Sequence, residues 1–204
     1  MIKSIRFLSN LLIVMAAIFL GYCYFTKKGI FTPTTIHNEE VKIGGSFSLI
    51  NQDGQIIHSS DFQDKYMLIF FGFSSCKRIC PMNLGIISEA LAKLDKKIHG
   101  KLQTFFITVD PERDNVEKLK KFQQQFDHRI QMLTGEREKI DEVILKYKIY
   151  ASEVGGEEEI NHSSIIYLIG PNGKYVTHFA LDLNSDENQS DKILIGLKKY
   201  MIIS

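Results

Sequence analysis

No basic patch runs through this chain. Lys and Arg number 25 against 24 Asp and Glu in 204 residues, a formal charge of +1 with the cations spread along the sequence. That excludes the electrostatic footprint of a nucleic-acid binder. Internal repeats are absent as well, and with 44% hydrophobic and 24% charged residues the composition suits one globular domain plus a short appendage. Cysteine is scarce. Of the three present, Cys76 and Cys80 make a pair, while Cys23 stands alone in an apolar stretch as a small hydrophobe with no second ligand or base beside it.

At the N-terminus, Lys3 and Arg6 precede an uncharged stretch over residues 7–26. As a helix rising ~1.5 Å per residue, that stretch is long enough to cross a ~30 Å hydrocarbon core. A cleaved signal peptide is the competing reading. However, Leu20-Gly21-Tyr22-Cys23-Tyr24-Phe25 offers no small-x-small site, and Tyr22 before Cys23 does not suit a lipoprotein signal. The expected organisation is an uncleaved transmembrane anchor (residues 1–28), a polar linker without apolar period (29–40) and a domain (41–204). Cations flank both ends of the span, so charge bias does not set its orientation. A short basic tail inside with the domain exported is the expected topology. No Arg- and Ser-rich transit peptide precedes the anchor, which favours a bacterial inner membrane, domain on the periplasmic side, over the mitochondrial inner membrane.

Within the domain, Phe47 and Leu49, the turn Asn51-Gln52-Asp53-Gly54 and residues 55–58 predict two short strands around a tight turn. Tyr66-Met67-Leu68-Ile69-Phe70-Phe71 is nearly all apolar, as a strand buried on both faces requires. Pro81 suits the first position of a helix in which Leu84, Ile87, Ser88, Leu91 and Leu94 recur until Gly100. Residues 102–109 predict a strand. Asp114 and Glu117 have capping-box spacing for a helix carrying Val116, Leu119, Phe122 and Phe126. A strand over 130–133, a helix with Ile140, Val143, Ile144 and Tyr147, and a polar solvated loop with Glu157-Glu158-Glu159 follow. The chain closes with a strand over 165–169, a turn at Pro171-Asn172-Gly173, a strand over 175–179 and a helix over 185–201. Parallel strands with crossover helices, then a terminal hairpin and helix, argue an α/β sandwich.

Chemistry is advertised once, at Cys76-Lys77-Arg78-Ile79-Cys80. Two thiols one helical turn apart either share a soft metal or close as a disulfide, so the spacing points to metal handling or redox exchange. Lys77 and Arg78 push the loop toward solvent, against the competing reading of two inert core cysteines. A following helix start adds partial positive charge to theirs, which predicts that thiolate forms are favoured. The residues alone do not choose a histidine partner among His37, His58, His99, His128, His162 and His178.

Gly72-Phe73-Ser74-Ser75-Cys76-Lys77-Arg78-Ile79-Cys80-Pro81, Thr108-Val109-Asp110-Pro111-Glu112-Arg113-Asp114 and Asn161-His162-Ser163 before residues 165–169 together resemble the Sco/SenC family. Its members are membrane-anchored copper chaperones for cytochrome c oxidase with a thioredoxin-like fold. The resemblance covers residues 41–201 and the anchor. It implies a thioredoxin-like sandwich with a central mixed sheet flanked by helices, and a site holding one copper ion on Cys76, Cys80 and His162. Two soft thiolates suit Cu(I), and an added imidazole makes a set that also holds Cu(II). It further implies a Cys76–Cys80 redox disulfide, an upstream copper donor, a receiving subunit of a membrane-bound cytochrome oxidase, and carriage rather than turnover. Asp110 would lie at the same end of the sheet, near the metal or a docking partner. Lys77, Arg78 and Asn161 depart from the commoner Pro, acidic residue and Asp of the family, which alters charge without removing a ligand.

The rival reading is an exported thiol-disulfide oxidoreductase of the thioredoxin class, acting on partner cysteines. Such proteins carry Cys-x-x-Cys and a cis-proline before the strand facing it. Here the spacing is one residue longer, and the four prolines, Pro33, Pro81, Pro111 and Pro171, leave His162-Ser163-Ser164 at that place. Reduction of a partner's disulfide before copper loading is compatible with the chaperone reading as an accessory activity. A peroxidase lacks an activating constellation, and a structural zinc site lacks a fourth ligand.

Overall fold

Residues 66–71 are all buried, and the domain is assembled around them. The computed structural model describes residues 10, 12–22, 24, 43–149, 151–153, 160–162, 165–182 and 184–202, of which 151–153, 160–162 and 202 are described through their backbone. The chain divides into two units, Met1–Val41 and Lys42–Ser204. In the first, residues 12–22 are helical, with Leu12, Ile13, Ile18, Phe19 and Leu20 exposed. Among the described residues no helix is long and apolar enough to cross a membrane. The expected span over 7–26 runs past the described residues at both ends, and Cys23 and the linker over 29–40 lie outside them.

The strands of the second unit are β1 (Ser48–Asn51), β2 (Ile56–His58), β3 (Tyr66–Gly72), β4 (Leu102–Thr108), β5 (Ile130–Thr134), β6 (Ala151–Glu153), β7 (Ile160–His162), β8 (Ile165–Ile169) and β9 (Tyr175–Ala180). The helices are α1 (Ile79–Ala92), α2 (Lys96–His99), α3 (Val116–Gln123), α4 (Arg137–Lys146) and α5 (Gln189–Ile202). Seven strands form one sheet in the order β2-β1-β5-β4-β3-β8-β9, and β6 pairs with β7 in a separate ribbon. Strands β3, β4 and β5 run parallel; β8 and β1 add antiparallel on either side. This is the thioredoxin-like mixed sheet that the family resemblance implies.

The pleat of β3 explains its unbroken apolar run. Leu68 and Phe70 enter a core with Leu84 and Ile87 of α1, Leu119 and Phe122 of α3, and Ile193 and Leu197 of α5. Met67, Ile69 and Phe71 point the other way, to Ile140 and Val143 of α4. A strand covered on both faces has no polar side to alternate with. Each such side chain contributes ~1.5–3 kcal/mol by leaving water.

Several local expectations shift. The α1 helix begins at Ile79, so Pro81 is its third residue, where a missing N–H is still harmless because the first four have no intrahelical acceptor. It ends at Ala92 rather than near Gly100, since the Asp95 side chain accepts from the Lys97 N–H and starts the separate turn of α2. Asn115, not Asp114, caps α3 by accepting from the Lys118 N–H at 2.9 Å. The α3 helix stops at Gln123, short of Phe126, and α5 starts at Gln189, where Asn188 accepts from the Ser190 N–H. The stretch read as a polar loop is flanked by β6 and β7, and Glu157, Glu158 and Glu159 lie outside the described residues. The two turns behave as read. The Asn51 side chain accepts from the Asp53 and Gln55 N–H groups, and Asn172 and Gly173 take left-handed φ values of 60° and 72°.

Candidate metal centre

Strand β3 delivers the cysteine loop at its carboxyl end, beside the carboxyl end of β4, where open α/β sheets gather their ligand sites. Ser75, Lys77, Arg78 and Ile79 are exposed, Cys76 is half-buried and Cys80 is fully buried. The loop therefore presents one thiol toward solvent and keeps the other inside. Both are reduced.

The sulfur of Cys76 sits at the start of α1. The Cys80 N–H points to Cys76 Sγ at 3.4 Å, while Arg78, at the N-cap position, makes no side-chain cap. A sulfur thus takes the place that Ser or Asp usually fills, close to the partial positive charge of the helix end.

Gly72 makes the close approach possible. A Cβ there would lie 2.8 Å from Cys80 Sγ and 2.8 Å from Phe106 Cε2, and both neighbours are fully buried. Gly72→Ala should therefore cost about 1–3 kcal/mol through overpacking, read as a lower urea midpoint at unchanged slope. An unchanged midpoint would show that the sulfur can move aside.

The expectation that thiolate is favoured at both positions does not hold for Cys80. Its hydrogen bond with Cys76, then burial, push the Cys80 thiol far above the usual range, and the charge of Asp114 acts the same way. Lys77 and Arg78 face water, so they do not offset the low-dielectric surroundings of the inner sulfur. Any metal taking this site must displace the Cys80 proton.

Beneath the loop lies a carboxylate that sequence reasoning assigned to a helix cap. Asp114 is fully buried and accepts from the Ser74 N–H at 2.8 Å, the Ser74 hydroxyl and the Thr108 hydroxyl at 2.8 Å. Lys118 Nζ lies 3.3 Å from Asp114 and donates to Ser75 Oγ at 2.8 Å. Both residues preceding Cys76 are thereby fastened to the β4–α3 segment. Asp110 is also buried; its N–H bonds Thr108 Oγ1 and its carboxylate pairs with Arg113. Asp110 is accordingly part of the scaffold at this end of the sheet.

His162 closes β7, paired with Ala151; its side chain, with Ser163 and Ser164, lies outside the described residues. Ile166 of β8 faces Phe70 of β3 antiparallel, so β8 begins at the end of β3 from which the cysteine loop departs. Among the described residues no three His, Cys, Asp or Glu side chains gather as a metal cage. The donor set that is described, two sulfurs sharing a hydrogen bond at a helix start, fits a soft ion such as Cu(I).

The SCO1/SenC family pattern matches residues 36–198 of the chain. A SCO2-like protein of Rickettsia felis is 38% identical over 185 residues, covering 87% of this chain and 89% of that protein. The structure of Bradyrhizobium japonicum ScoI with copper bound superimposes with a TM-score of 0.68 at 34% identity, over 78% of this chain and 99% of the other. BsSco, described as a Sco-family cytochrome c oxidase assembly protein with a disulfide switch, gives a TM-score of 0.62 at 29% identity, over 76% and 90% of the two chains.

Proposed function

Given that the chain belongs to the SCO1/SenC family, we propose that it is a membrane-anchored copper metallochaperone. It takes one copper ion on Cys76, Cys80 and His162 and delivers it to a cytochrome c oxidase subunit during assembly. The observation that carries this reading is the pair of free thiols at the start of α1, at the carboxyl end of β3 where β8 begins. The copper-bound ScoI structure and the assembly role stated for BsSco support it.

The ion is cargo. The half-buried Cys76 meets the incoming copper first, Cys80 gives up its proton as the second thiolate forms, and the His162 imidazole extends the set to Cu(II). Transfer is ligand exchange with the donor or the receiving subunit, without turnover. The apolar segment over residues 7–26 serves as the anchor in a bacterial inner membrane, with the domain on the periplasmic side. The shared hydrogen bond also brings the two sulfurs together for a disulfide, so thiol-disulfide exchange with a partner is the second reading.

Copper titration of the detergent-solubilised chain tests the proposal. One copper should bind per chain, the Cu(II) form should be coloured by its thiolate, and His162→Ala should weaken binding. No stoichiometric copper, with thiol exchange intact in His162→Ala, would leave the oxidoreductase reading in its place.

A further inference from the structure

Asn83 follows Cys80 by three residues in α1 and is fully buried, yet among the described residues neither its amide nitrogen nor its carbonyl oxygen has a hydrogen-bond partner. A primary amide in that condition works against the fold, because it has lost water and gained nothing. An apolar side chain of the same size would serve α1 better, as Leu84, Ile87 and Leu91 do on its buried stripe. Such a residue calls for a state in which it is satisfied.

Helix geometry indicates which state. Residues three apart share a helix face, and helical side chains lean toward the N-terminus, so the Asn83 amide lies over the turn that carries Cys80. The Cys80 N–H is already committed to Cys76 Sγ, and its own sulfur is directed at the end of β3 beside Gly72. A neutral thiol is a weak acceptor; a metal-bound thiolate sulfur, charged and shut away from water, accepts strongly.

We propose that Asn83 is a positioning residue for the copper site, its side-chain N–H held in reserve for the Cys80 sulfur once that sulfur is a copper-bound thiolate. This rests on Cys80 being a copper ligand. Hydrogen bonds to ligating sulfurs lower their electron density and tune the metal, so the amide would affect both affinity and spectrum.

The full chain in detergent, wild type beside Asn83→Leu and Asn83→Ser, provides the test. Without copper, Asn83→Leu should melt about 2–8 °C higher than wild type, because an orphaned amide has been removed. With copper, the same variant should lose about 10–100-fold in Cu(I) affinity against a chromophoric chelator. Its thiolate-to-Cu(II) absorption band should shift. Asn83→Ser, which keeps a donor, should recover part of both. A lower melting temperature for Asn83→Leu would make the residue a structural element bridged by a buried water, and overturn the proposal. So would unchanged affinity and an unchanged band. If the wild type itself takes up no stoichiometric copper, the chaperone reading fails and this inference with it; copper binding equal in wild type and Asn83→Leu sinks the inference alone.

Discussion

Cys80→Ala should abolish stoichiometric copper binding while leaving the domain folded. The loss should exceed the ~10–100-fold typical of removing a group that merely supports a ligand, since one of two soft donors disappears and the imidazole alone cannot hold Cu(I) on Cys76. The fold should lose only about 1–2 kcal/mol, the scale of a small buried side chain shortened by one atom. The contact at the helix start survives, because it uses the Cys80 backbone N–H.

The pH dependence supplies an internal control. In wild type the folded Cys80 keeps its proton far beyond the point, near ~8.5, at which an unfolded thiol loses it. Above that pH the unfolded chain binds fewer protons than the folded one, so apo stability falls as pH rises. In Cys80→Ala this contribution disappears, and the stability curve above pH ~8.5 should be flatter. Chelator competition reads the copper effect and urea midpoints across pH read the rest. Tight copper binding by the variant would remove Cys80 from the site.

Asp114→Ala should cost the domain about 3 kcal/mol, a large share of the ~5–15 kcal/mol typical of whole proteins. Three donors lose their acceptor at once: the Ser74 N–H and the hydroxyls of Ser74 and Thr108. The buried Thr108 hydroxyl left unpaired costs ~1–3 kcal/mol, and the part-buried Ser74 donors add to it. Lys118 is partly exposed and recovers water, which keeps the total from growing further. Asp114→Asn, similar in shape, should fall between wild type and alanine. Chemical denaturation gives the stability, and a copper titration should show a loss of affinity from the loosened Ser74-Ser75 lead into Cys76. Wild-type stability in Asp114→Ala would mean that the network is replaceable by water.

Much of this was legible in the sequence, and the gaps have physical causes. The apolar run of residues 66–71 specifies a doubly covered strand by itself, and Asn51 through Gly54 and Asn172-Gly173 specify their turns. Asp114 was misread because its spacing to Glu117 offered a complete local explanation, whereas two of the three donors to its carboxylate come from Ser74, 40 residues earlier in the chain. The β6–β7 pairing escaped because Ser152 and Asn161 interrupt any apolar period. The state of Cys80 escaped because the charges of Lys77 and Arg78 are visible in sequence, while the burial that outweighs them is not. His162 is nominated through family resemblance; its own neighbours add only its place just before the apolar strand over 165–169, which is too little to choose it among six histidines.

A helix that begins on serine or aspartate begins there permanently. The α1 helix begins instead on the sulfur of Cys76, an atom whose bonding would change with oxidation and with the copper proposed to bind it. Its first turn is therefore conditional: whatever occupies that sulfur also decides how firmly the backbone at residues 79–82 is pinned. Amide exchange in this one turn would then report on the loading state of the molecule, and any protein that docks on the exposed Ile79 and Met82 would be reading the same variable.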